Sequence, residues 1–546
     1  MIRQFMPVLI MTAGIIANLW ALPAFPGAVG WGGEVTGGRG GQVIHVTNTN
    51  AYGAGSLAAA CGTSGPKIIV FDVSGTISVG QQLTLNSNTT IAGQTSPNGI
   101  TIINGALYAD NAANIIVRHM RVRRSPDAPD GDCYRFSHCH DIMVDHCTGM
   151  WCSDEILDCS YSTYNMTFQN MIIASPLQCF EHYGSGSGYG NNRTGILAVG
   201  TDGRFTFYRC LFAHHMKRTP YLSNDLSGSN TGKTFELINN VFYNCMQGGD
   251  ESFNNNNIPL NLIGNYYMPG PNAAYPVNPY AHTGSVNPAI MIAHSSLNYH
   301  VQYPALTNQR AFFNYLSVIG GMNGFAATPI QPVKSPADVP AQTIYPQVCA
   351  QVGAFPRDSA DSRVLREVQN FGGVWEPDCD PTPDPYLPSG GTPPTDTDRD
   401  GMPDTWETAH GLNPGSAADR TTDLGGANAG YNAVEVYINE LADLKTPSKT
   451  EGRPWHDIAN GLDNMIHVTP NPFTETARIR LNAGEIQGAA VIRIFDMGGR
   501  LVRTLDAKKA SKEGVSWNAA ECPAGVYLAQ CLVKGRTYSQ RMLRVK

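Results

Sequence analysis

The chain has 546 residues, 37 Lys and Arg against 44 Asp and Glu, and a formal charge of −7. Hydrophobic residues make up 42% of it and charged residues only 15%, which excludes a mainly disordered chain. The mild acidity excludes a general nucleic-acid binder, which needs a basic surface. With 57 Gly and 36 Pro and little charge, the composition fits a β-rich exported protein.

Residues 1–24 read as a signal peptide. Arg3 supplies the positive start, Pro7 to Ala21 is an apolar run, and Ala21 or Ala24 offers a small residue for cleavage. The run is short for a membrane span, and no later run reaches that length, so no membrane span is expected. The 13 cysteines include seven between Cys133 and Cys210. Cys147 and Cys152 are five apart and Cys152 and Cys159 seven, which is not zinc spacing. Inward-facing stacked thiols, or one to three disulfides, are the readings left open.

From Lys67 short β-type segments recur. They begin near residues 67, 88, 114, 141, 165, 204, 234 and 259, with turns rich in Gly and Asn between them. A repeat of this length suggests a solenoid of parallel coils over residues 25–380, with a β-sandwich as the alternative. Aligning the units stacks His119, His146, Asn170, Arg209 and Asn239 in one column. Met120, Cys147, Met171, Cys210, Asn240 and Asn265 fall in the next. Polar residues in such columns can bond backbone groups left free at coil bends. Residues 381–395 are a Pro/Gly/Ser-rich linker, 396–445 a compact acidic module and 446–464 a second linker. Residues 465–546 alternate short strands with GG and AG turns, as a small β-sandwich does.

Two acidic sets carry chemistry. In the module, Asp396, Asp398, Asp400, Gly401, Asp404 and Glu407 fall at positions 1, 3, 5, 6, 9 and 12 of an EF-hand-type loop, and Met402 would add its backbone carbonyl. This predicts a structural calcium site. In the solenoid, Asp130 and Asp132 close one coil, and Asp154 and Asp158 lie about one coil later. Equivalent positions on successive coils approach to strand spacing, so the four carboxylates converge on one flank as hard-oxygen ligands. Arg118, Arg121, Arg123 and Arg124 form a basic run close by, and Lys217 and Arg218 follow further on. Carboxylates, a metal and guanidinium groups on one face suit an anionic substrate.

FPGAVGWGGEVTGGRGGQVIHVTNTN, IVFDVSGTI, TTIAGQTSPNGITI, IIVRHMRVRRSP, DGDCYRF, DIMVDHCTGMWCSDEILD, HHMKRTP and DSADSRVLREV occur in order. Over residues 25–379 the chain thereby resembles bacterial pectate lyases of polysaccharide lyase family one. The resemblance implies an all-β chain: a right-handed parallel β-helix, followed here by the small calcium-binding module and the C-terminal β-sandwich. It also implies calcium-dependent β-elimination of polygalacturonate (pectate). The family's DGD pair matches Asp130 and Asp132, and its acidic-x-x-x-Asp pair matches Asp154 and Asp158, all implied Ca²⁺ ligands. Its catalytic Arg matches Arg218, two residues before Pro220. Where the family often has a second Arg, Ser223 stands, and its substrate-binding Lys has no Lys here. His182, Lys217 and Arg121 are the substrate-binding candidates.

The implied reaction removes the C5 proton α to a carboxylate, with Arg218 as base, and expels the C4 oxygen to leave a 4,5-unsaturated end. A guanidinium holds its proton to above about pH 12 in water, so this role calls for positive surroundings. A lyase for methylated pectin or another uronan, and a non-catalytic polysaccharide-binding solenoid, are the rival readings. The tail, with FDMGGRLVRTL and PAGVYLAQ, resembles the C-terminal sorting domains of Bacteroidetes-like secreted enzymes. The expectation is a monomeric bacterial protein, secreted or attached at the cell surface, whose partners are pectin and a secretion machinery.

Overall fold

The computed structural model describes residues 22–80, 82–124, 131–177, 194–200, 203–216, 218–224, 234–245, 250–251, 260–272, 281–282, 293–301, 309, 326–375, 390–446, 466–470, 473–481, 491–496, 501–523, 525–533 and 536–544. Among these, three parallel sheets of ten, nine and eight strands wind around one another. Each coil contributes one strand per sheet: Ala113–Arg118, Met120–Arg123 and Tyr134–Ser137 make one coil, and His140–Asp145, Thr148–Met150 and Glu155–Ser160 the next. The expected solenoid is therefore a parallel β-helix, right-handed as parallel crossovers are.

Strand alternation builds the interior. Val117, Val144, Phe168, Phe207 and Leu237 repeat at one register position of the ten-stranded sheet and are buried together. Phe168 stacks on Phe207 at 5.3 Å and Phe212 on Phe242 at 4.7 Å, because neighbouring coils place like rings one strand spacing apart. The column of His119, His146, Asn170, Arg209 and Asn239 is the corner between two sheets. All five are left-handed, with φ between 49° and 59°. In the adjacent column the Asn240 and Asn265 side chains form an internal ladder continued by Asn298 (Asn240 Nδ2 to Asn265 Oδ1 3.0 Å, Asn265 Nδ2 to Asn298 Oδ1 3.1 Å). Such a ladder satisfies backbone groups that the corner removes from the sheets. The 11 described cysteines are all unbonded, so stacked thiols rather than disulfides occupy the interior. Burial pushes Cys147 and Cys210 up to about 12, which leaves them inert thiols.

Two sheets have their outer faces covered. Helices Ala341–Gln351 and Ser359–Asn370 lay Ile344, Val348, Val364 and Val368 on the nine-stranded sheet. Asp358 and Asp361, at the start of the second helix, receive Arg121 and Arg123. On the ten-stranded sheet, residues near Gly30–Gly32 and Lys334 run across the strands and bond Thr167, Thr206 and Glu236. The module of residues 396–445, expected to stand between linkers as a separate unit, instead packs on the first coils. Met402, Ala433, Val434 and Ile438 bury against Ile68, Val70 and Ala92. Arg39 pairs with Glu435 at 2.9 Å, and Arg118 Nη1 donates to Asn439 at 2.9 Å. This is why Lys67–Phe71 is buried on both faces.

At the N-terminus, Ala24 is buried and its N–H donates to Gly33 O at 2.7 Å. Residues 1–21, most of the expected signal peptide, lie outside the described residues. The C-terminal region has a core of its own, in which Trp517, Ile479, Ile494 and Ala529 pack between two antiparallel sheets.

Candidate active site

The eight-stranded sheet turns Leu107, Tyr134 and Leu157 inward and Tyr108, Arg135 and Asp158 outward, aligned on successive strands. A groove of about 450 Å³ runs along this face, lined by Thr84, Asn104, Arg124, Asp132 and Arg135 among others. At its end one carboxylate oxygen each from Asp132, Asp154 and Glu155 lies within 4.8 Å of the others. The coil stacking makes this cluster: Glu155 N–H donates to Asp132 Oδ1 at 3.0 Å, and Cys133 N–H to Glu155 O at 3.2 Å.

These carboxylates are buried and crowded. Burial, then the charges of Asp158 and Asp154, push Asp132 up to about 8. Burial moves Asp158 up to about 6 and Glu155 well above the usual carboxylate range. Asp158 Oδ1 is buried with no hydrogen-bond partner, while Oδ2 faces Arg135 Nε at 3.3 Å and accepts from Ser160 Oγ at 3.3 Å. A hard divalent cation fits such a donor set. Arg218, left-handed at φ 53° and immediately before a cis Thr219–Pro220 bond, pairs its guanidinium with Glu155 Oε1.

The structure thus gathers Asp132, Asp154, Asp158 and Arg218 of the expected set. Asp130, Lys217 and His182 lie outside the described residues. Arg121 requires correction as a substrate contact. It is fully buried beneath the helix face, 3.2 Å from Asp361 and bonded to the carbonyls of Ala354 and Pro356. The basic run is divided because Arg118 ends a strand of the ten-stranded sheet, Arg121 and Arg123 face the helices from a strand of the nine-stranded sheet, and Arg124 follows that strand at the groove. Two residues of this face had not been singled out. Glu155 sits beside Asp154 in the same motif, and Arg135 follows the DGD pair by three residues; only coil register reveals what each one faces.

The second acidic set is also brought together. Asp396 accepts from Asp400 N–H at 3.2 Å and Gly401 N–H at 2.9 Å, the turn expected of such a loop. Gly401 has φ 93°, and a Cβ there would meet Val43 at 2.9 Å, so glycine is required twice over. One oxygen each from Asp396, Asp398 and Asp400 lies within 4.8 Å, and likewise from Asp400, Glu407 and Asp419. Burial pushes Asp400 and Glu407 up to about 7. The side chain of Met402 is buried in the apolar interface. Asp404 is in neither of these carboxylate groups. Thr397 N–H and Oγ1 donate to its two oxygens, each at 2.8 Å.

A family model described as a secretion system C-terminal sorting domain matches residues 467–545. A probable pectate lyase C of Neosartorya fischeri is 30% identical over 449 residues, covering 80% of this chain and 97% of that protein. Its counterpart in Aspergillus fumigatus is 31% identical over 445 residues, with the same coverage. At that coverage the likeness extends beyond residues 25–380. A solved thermostable pectate lyase shares 14% identity with a TM-score of 0.43, over 62% of this chain and 99% of its own, a likeness too low to carry argument.

Proposed function

This chain belongs to the pectate lyases and is a polysaccharide lyase, and from that premise we propose that it is a secreted, calcium-dependent enzyme that cleaves polygalacturonate by β-elimination. The observation that carries the reading is the convergence of Asp132, Asp154, Asp158 and Glu155 with Arg218 on the outward face of one sheet. Asp132, Asp154 and Asp158 would hold the cation, with Asp130 of the same motif. Bound there, calcium would neutralise a substrate carboxylate and acidify the proton α to it.

The protein's own groups do the rest. Arg124 and Arg135, along the groove, offer positive charge to the carboxylates of a uronan chain. Lys217 and His182 remain candidates for the same task. Arg218 takes the C5 proton, the C5–H electron pair forms the C4=C5 double bond as the C4–O bond breaks, and the departing oxygen takes a proton from water, leaving a 4,5-unsaturated uronate end. Glu155 fixes the position of the guanidinium by pairing with it.

That pair also favours a second reading of Arg218. A guanidinium held in place by a carboxylate is a fixed planar fork suited to binding a second carboxylate. Arg218 would then hold the substrate carboxylate, and another group would take the proton. Exchanging Arg218 for Lys separates the two roles, as argued below.

The sorting-type domain and the absence, among the described residues, of a helix long and apolar enough to cross a membrane support a secreted or cell-surface protein. A signal peptide ending at Ala21 would leave the buried Ala24 in the mature chain. The experiment is the ultraviolet absorbance of unsaturated uronate released from polygalacturonate, with and without chelator. Product formation abolished by chelator and restored by calcium supports the reading. Equal rates with chelator present, or activity only on methylated pectin, would overturn it.

A further inference from the structure

The acidic module contains more unpartnered oxygen than its loop motif accounts for. Both oxygens of Asp398, Oδ2 of Asp400, both oxygens of Glu407 and Oδ1 of Asp419 are buried without a hydrogen-bond partner, six in all. Glu407 is 0% exposed and Asp400 1%. Buried charge of one sign is sustained only by a counter-charge. Six hard oxygens are the lower bound of what Ca²⁺ takes, and more than Mg²⁺ draws from protein side chains alone.

Asp419 comes from outside the loop. It opens the short 3₁₀ turn Asp419–Thr421, held there because its Oδ2 accepts from Asn413 N–H at 2.8 Å. That leaves Oδ1 turned toward Asp400 and Glu407. Asp404, the loop's ninth position, accepts from Thr397 N–H and Oγ1 and belongs to neither carboxylate group. The loop is also built into an interface. Gly401 packs on Val43 and Val70 of the first two strands, and Met402 is buried with Ile68 and Val70.

We propose that Asp419 replaces Asp404 as a calcium ligand, so that Asp396, Asp398, Asp400, Glu407 and Asp419 form one site whose loading fastens the module onto the first coils of the β-helix. This rests on the reading of the loop as a calcium site and names its fifth carboxylate and its purpose. The bound ion orders a loop whose middle is a packing surface, so its free energy of binding becomes stability of the catalytic solenoid. The site is a clamp and supplies no chemistry.

The test uses the full mature chain carrying Asp158→Asn, with calcium kept below the concentration that restores its lyase activity, so that calcium effects report the module and not the weakened lyase site. Calcium is titrated calorimetrically, and thermal unfolding is followed by the β-sheet circular dichroism signal. The expectation is that Asp419→Asn weakens calcium binding at least tenfold, while Asp404→Asn leaves it within threefold. Calcium should raise the unfolding temperature of the β-helix in a single transition, and Asp419→Asn should remove that rise. Strong weakening by Asp404→Asn with little effect of Asp419→Asn would overturn the ligand assignment. A separate module transition that alone responds to calcium would overturn the clamp. If the Asp158→Asn protein takes up no calcium and its unfolding temperature does not respond, the calcium reading of the loop itself fails.

Discussion

Glu155 and Arg218, 63 residues apart in sequence, are ion-paired on the outward face of the eight-stranded sheet, with Glu155 buried and the guanidinium one-third exposed. The pair sets the position of Arg218. Arg218→Lys keeps the charge but moves it to a compact ammonium in another place. If the guanidinium is the base, kcat falls by about 10²–10⁴ while oligogalacturonate binding persists within a few-fold. A kcat above a tenth of wild type would demote Arg218 to a binding charge. Steady-state kinetics with a parallel binding titration reads both.

Asp158→Asn should weaken calcium binding at the lyase site and lose activity that high calcium partly restores. The dependence on pH has a definite sign. Asp132 and Asp158 titrate near 8 and 6, so they carry protons below those values and calcium must displace them. Calcium affinity should therefore fall as pH is lowered from about 9 to about 5. Without calcium, the folded state binds more protons than the unfolded chain between the ordinary carboxylate range and these raised values. Stability in chelator should then decline as pH rises through that window. Calcium titrations and thermal melts across the range check both slopes, and a flat calcium affinity would contradict the assignment.

Arg121→Ala should behave as a core lesion. It strips a fully buried partner from Asp361, a change that costs about 3–5 kcal/mol when one half of a buried ion pair is removed. The expected result is a large loss in denaturant midpoint with KM unchanged in the protein that still folds. A rise in KM with unchanged stability would return Arg121 to the substrate-binding set.

Deleting residues 466–546 should leave a soluble enzyme of unchanged specific activity, because the apolar core of this region is its own. What should change is the fate of the protein in its host. Fractionation should find the truncated chain retained or released differently from the full chain. Loss of activity in the purified truncation would make the tail part of the catalytic fold.

Much was legible in the sequence because a solenoid repeats itself. Residues one coil apart in sequence are neighbours in space, so the column from His119 to Asn239 and the pairing of the DGD coil with Asp154 and Asp158 follow from alignment alone. The gathering of Asp396, Asp398 and Asp400 likewise followed from a short local spacing. Tertiary structure decided what those local patterns face. Arg121 and Arg124 are three residues apart, yet one lies under a helix that begins at Ser359 and the other lines the groove. Asp404 accepts from Thr397 and stays outside the carboxylate cluster, and Asp419 enters that cluster from a turn that no loop spacing reaches. The module, bounded by linkers in composition, became a wall of the β-helix, since Ile68 and Val70 needed an apolar partner that only the folded chain brings to them.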